Sequence, residues 1–170
     1  RRDHLRDHIT AGVKSMIVPA VDIRMEEGED NIIMRDHVEK VTDNFAIDDW
    51  LGDSKYWCKK NCEAVAIVGG KPYFKCKTGK SSWNGKQDGY PSWKEMNKES
   101  EEHPRRYKRH YRYRVKIECI IHSKKAIHGD KVYSKLPSAR ANEETLRWIN
   151  HNINVLNRAR CEWNINPLEN

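Results

Sequence analysis

The 170 residues include 32 Lys and Arg against 25 Asp and Glu, a formal net charge of +7, with 37% hydrophobic and 34% charged side chains. A chain of this length builds one well-buried domain, with or without an appended helical arm, and is too short for two large ones. No apolar run approaches the ~20 residues that span a bilayer, so no membrane partner is expected.

Charge is unevenly placed. Residues 1–50 hold seven Lys/Arg and twelve Asp/Glu, net −5, which leaves 25 and 13, net +12, for residues 51–170. Such polarity points to an anionic partner for the second part. The five cysteines are an odd number and no Asn-X-Ser/Thr acceptor occurs. Both observations fit a reducing compartment, the nucleus or alternatively the cytoplasm, with metal rather than disulfides accounting for clustered thiols.

In chain order, residues 1–12 suit a short helix with His4 and His8 one turn apart, and Met16–Met25 reads as an edge or bulged strand interrupted by Pro19. An acidic turn follows at Glu26–Asp30, then the apolar patches Ile32-Ile33-Met34 and Val38/Val41, and Asp43 to Trp50 reads as a turn leading to a short helix. Glu63–Val68 reads as a strand, Gly69-Gly70 as a two-residue hairpin turn and Lys71–Lys77 as the returning strand. Ser81–Glu102 is polar and carries Trp83, Tyr90 and Trp93 without periodicity, so a long surface loop is expected. Arg112–His122 alternates, with Tyr113, Val115, Ile117, Cys119 and Ile121 on one side and Arg112, Arg114, Lys116 and Glu118 on the other, the pattern of a half-buried strand. Gly129-Asp130 turns the chain, and Asn142–Asn157 puts Leu146, Ile149, Ile153 and Leu156 on one helical stripe, with Asn142 as N-cap.

Cys58, Cys62 and Cys76 would gather at one end of the expected hairpin, in the layout of a zinc ribbon. The fourth ligand is displaced, because Gly79 stands where a cysteine would complete the second pair. Alternation sends Cys119 into the core, which leaves His122 as the better-placed fourth ligand, and the site is either zinc-loaded through it or metal-free.

The segments Lys55-Tyr56-Trp57-Cys58, Cys62, Lys71-Pro72-Tyr73-Phe74-Lys75-Cys76 and Tyr111-Arg112-Tyr113-Arg114-Val115-Lys116-Ile117 together resemble the C-terminal DNA-binding domain of the large subunit of replication protein A. The resemblance implies a β-rich (α+β) fold, an OB-fold-like barrel interrupted by a zinc-ribbon hairpin and closed by a C-terminal helix. The similarity covers roughly residues 55–135 and leaves 1–54 unmatched, and the chain is read as an acidic N-terminal part at 1–54, with possible first strands, then ribbon, long loop and barrel strands at 55–135, and helix and tail at 136–170. The resemblance also implies that the 142–157 helix bundles with helices of other protein subunits; the same stripe could instead cover its own barrel. The chain departs from the pattern at Gly79 and in the length of the 81–102 loop.

The candidate site is the run from Arg105 to Lys116, seven cations interleaved with three tyrosines. Arg105, Arg106, Lys108, Arg109, Arg112, Arg114 and Lys116 are expected to hold phosphates, and Tyr73, Phe74, Trp83 and Trp93 to supply rings for base stacking. Other constellations are weaker. Lys77-Thr78-Gly79-Lys80-Ser81 lacks the earlier glycine of a phosphate loop, and Asp22 with Glu26 to Asp30 lacks the lysine a metal-dependent nuclease places beside its acids. The expectation is a non-catalytic binder of single-stranded nucleic acid, most simply DNA; the alternative is a scaffold subunit using the aromatic loop and the C-terminal helix.

Overall fold

The computed structural model describes residues 5–25, 30–76 and 89–165. It contains β1 (Arg6–Thr10), β2 (Ala20–Arg24), α1 (Asp30–Thr42), β3 (Asp49–Gly52), α2 (Lys59–Ile67), β4 (Lys71–Phe74), α3 (Pro91–Glu102), α4 (Pro104–Tyr111), a single 3-10 turn over Arg112–Arg114, α5 (Val115–His128) and α6 (Pro137–Trp163). Among the described residues helix dominates, and the strands form two separate two-stranded sheets with no closed barrel. This overturns the expected β-rich OB fold with its inserted ribbon hairpin.

The chain divides into two compact units, one of residues 29–115 and the other of 1–28 with 116–170. In the first, β3, α2 and β4 make a parallel βαβ unit whose register pairs Asp49 with Lys71 and Gly52 with Phe74. Glu63–Val68, expected as a strand, is mostly the end of α2. The Gly69-Gly70 pair does not turn a hairpin. Gly69 adopts φ +84°, and the amides of Gly69 and Gly70 return to the carbonyls of Ala66 and Val65, a Schellman cap that stops α2. Turn and cap both demand a residue tolerant of positive φ, so the dipeptide alone could not separate them.

Helix α1 gathers the scattered apolar patches, burying Ile33, Met34, Val38 and Val41. Asp43 and Asn44 turn as expected but lead to strand β3 rather than a helix. Part of the expected 81–102 loop, with Trp83, lies outside the described residues; the remainder, Pro91–Glu102, is helix α3. Pro91 opens α3, and the Glu63 carboxylate accepts from the amides of Ser92 (2.9 Å) and Trp93 (3.4 Å), placing an anion at the helix N-terminus.

In the second unit β1 and β2 pair antiparallel, with His8 opposite Asp22 and Ile9 opposite Val21. The helix expected over residues 1–12 is therefore strand from Arg6, and the Met16–Met25 strand begins only after Pro19. Asn152 of α6 accepts from the Val18 amide (2.8 Å) and donates to its carbonyl (2.9 Å), satisfying backbone just before β2. Val18, Ile120 and Trp148 form the core here, packed by Ile9, Val21, Ile23 and Ile121.

Arg112–His122 is not a strand. Pro104 opens α4, no glycine or proline intervenes before Gly129 at φ +74°, and the backbone stays helical apart from the 3-10 turn. Ile117, Ile120, Ile121 and Lys124, at helical spacing, face inward while Cys119 is exposed. The odd-numbered alternation was incidental to that stripe. Helix α6 confirms the C-terminal helix and extends it at both ends, from Pro137 with Leu136 as N-cap instead of Asn142.

Candidate nucleic-acid interface

Helix α4 is the most basic element of the chain, and its orientation follows from one residue. Tyr107 is buried; its hydroxyl donates to the Phe74 carbonyl at 2.6 Å, and its ring lies 5.2 Å from that of Tyr73. On the next turn His110 stacks on Tyr73 at 4.9 Å with 7° between planes, and its Nδ1 lies 3.0 Å from an Asp49 carboxylate oxygen. The helix is thus fastened to both strands of the parallel ribbon by its aromatic side. Burial pushes the Tyr107 phenol well above its ordinary range, so it stays a donor.

With Tyr107 facing inward, Arg105, Lys108, Arg109 and Arg112 share the opposite side at i, i+3, i+4 and i+7, and all four are exposed. Arg105, Lys108 and Arg109 form no ion pair with a described residue, whereas Arg106 is held by Glu99 at 2.9 Å. Arg112 lies over the Tyr113 ring and Arg114 over the Tyr111 ring, each 5.8 Å from the centroid. Lys116 is exposed at the start of α5. Four of the seven predicted cations therefore make one continuous stripe, which helical spacing could have revealed had the reading not begun a strand at Arg112.

The stacking residues are placed differently. Tyr73 (4% exposed), Phe74 (0%) and Trp93 (2%) lie in the core, where Trp93 packs 4.7 Å from Trp57 and Tyr73 receives His110. A buried ring cannot stack a base. Tyr113, 44% exposed beside Arg112, is the one ring of the basic run that is largely open.

The cysteines occupy the same unit in another guise. Cys58 is the N-cap of α2, Cys62 lies one turn into that helix, and Cys76 follows β4. Cys62 donates to the Met96 sulfur at 3.8 Å and Cys76 to Asn97 Oδ1 at 3.4 Å. Burial pushes both thiols up, Cys62 the more strongly, which favours the neutral form. Among the described residues no group of three His, Cys, Asp or Glu side chains is placed to hold a metal ion, and His122 belongs to α5 in the other unit.

That other unit contains a cleft of about 820 Å³ lined by Asp7, Lys124, Tyr133, Arg140, Glu144 and Arg147 among others. Lys124 donates to Asp7 at 2.7 Å and to Glu144, and lies 4.4 Å from the Trp148 ring centre. Arg147 donates to Glu143, Glu144 and the Lys131 carbonyl. These charges neutralise one another, so the cleft wall is a closed network of ion pairs rather than a set of free acids and bases. Compared with known proteins, the chain matches no family model, no curated protein and no solved structure.

Proposed function

We propose that this chain binds nucleic acid without catalysis, gripping phosphates with the stripe of Arg105, Lys108, Arg109 and Arg112. The observation that carries the reading is the Tyr107 anchor, which leaves four cations on the opposite face of one helix, three of them with no acidic partner among the described residues. Such a face presents clustered positive charge to an anionic backbone, and an α-helix is narrow enough to enter a duplex major groove. Because Tyr73, Phe74 and Trp93 are buried, stacking on those three rings contributes nothing, and the reading shifts from single strands towards duplex.

The test is fluorescence anisotropy of a labelled duplex and of its isolated strand, titrated with protein over a salt series with chelator present. Duplex affinity at least equal to that for the strand, with a log–log salt slope of about −3 to −4, is expected for four phosphate contacts. Replacing the four cations by Gln, which preserves helix propensity, should abolish that dependence. Binding that ignores salt, or that survives the fourfold replacement, refutes the proposal.

A further inference from the structure

Helix α6 has two faces that contradict the usual economy of a surface helix. Its inward face buries Glu144, Arg147, Trp148 and His151, while Leu146 (62% exposed), Ile149 (49%) and Ile153 (49%) lie on the opposite side in solvent. Along this outward side the positions at alternating spacings of three and four are Ala139, Asn142, Leu146, Ile149, Ile153, Leu156, Arg160 and Trp163, apolar without interruption from Leu146 to Leu156, about 15 Å at 1.5 Å per residue. A seam of this period packs against another helix of the same period, since a straight partner or a flat surface loses register with it.

We propose that this seam is a dimer interface, occupied by α6 of a second copy of the chain running antiparallel. The argument is self-complementarity. In an antiparallel pair about a two-fold axis at His151, Leu146 meets Leu156 of the second copy and Ile149 meets Ile153, which places like-sized aliphatic side chains together in every central layer. One layer further out Asn142 meets Arg160, a neutral amide against a cation, and beyond it the smallest seam residue, Ala139, meets the largest, Trp163. An in-register parallel pair would instead stack Arg160 on Arg160 and Trp163 on Trp163. The positions flanking the central layers are Thr145, Asn150, Asn152 and Asn157, so two chains that each carry +7 meet without opposed cations beside the seam.

Sedimentation equilibrium on the 170-residue chain tests this. The expected species is a dimer of twice the 20.1 kDa chain mass, and Ile149→Glu or Ile153→Glu, each at an exposed position, should return the monomer with unchanged circular dichroism. Direction is read by crosslinking in a Cys119→Ser/Cys161→Ser background. Mixing chains bearing Ala139→Cys with chains bearing Trp163→Cys should give a disulfide-linked heterodimer under mild oxidation in preference to either homodimer. A chain that stays monomeric at about 100 μM, where a micromolar interface would be filled, overturns the proposal. So does a dimer that Ile149→Glu leaves intact, or one that crosslinks only between identical positions.

Discussion

Lys124 is 4% exposed and donates to both Asp7 and Glu144, residues that lie on β1 and α6. Replacing it alone leaves two carboxylates facing a buried site, so Lys124→Met is expected to destabilise the chain by about 3–5 kcal/mol in urea unfolding. Glu143 behaves in the opposite way to a buried acid. The amides of Ser134 and Tyr133 donate to its carboxylate, and with Arg147 they hold its pKa down to about 2. Its folded value lies below its unfolded one, so its contribution is fully present above about pH 4.5 and is lost as pH falls towards 2. Glu143→Gln should flatten the acid limb of the unfolding midpoint between those values. Thiol reactivity follows burial: Cys119 and Cys161 are exposed and should react first with a disulfide reagent, whereas Cys62, enclosed and shifted upward, should react last. None of these three behaviours is legible in the sequence, because each depends on a neighbour brought in by folding.

At the scale of elements, the residues that bound helices stand in the sequence, but which element each one bounds was decided by the structure. Pro91, Pro104 and Pro137 each open a helix, and Gly69 and Gly129 each close one with positive φ. What sat between these marks was misread where short apolar runs fit two periods at once, as in Arg112–His122 and Glu63–Val68. The Gly69-Gly70 pair now has separable roles. A Cβ on Gly69 meets open space and strains only the backbone, whereas one on Gly70 would come within 2.8 Å of Ile47 Cγ2 and 3.0 Å of Val65 Cγ1. Gly70→Ala is therefore expected to destabilise by about 1–3 kcal/mol through overpacking, as read from the denaturant midpoint. The docking of α4 is similarly testable: Tyr107→Phe keeps the ring and leaves the Phe74 carbonyl only the weak Cys76 thiol contact at 3.7 Å, a loss of about 1–3 kcal/mol.

Across the whole molecule, residues 29–115 form one uninterrupted unit with its own buried Trp, Tyr and Phe cluster, inserted between the two segments of the other. A fragment of those residues should fold alone and retain salt-dependent nucleic-acid binding, checked by thermal melting and the same anisotropy titration. The sequence by itself determined the uneven charge, the basic run and the apolar stripe of α6, because composition and spacing are local quantities. Only the tertiary structure decided which face of each element turns inward. Tyr107 is buried and Arg109 exposed because Phe74, 33 residues before Tyr107, supplies its acceptor, and Leu146 is exposed because Trp148 takes the core and donates to Asp7, 141 residues away. Periodicity announces that a helix has two faces; which one is dry depends on partners that local spacing does not encode.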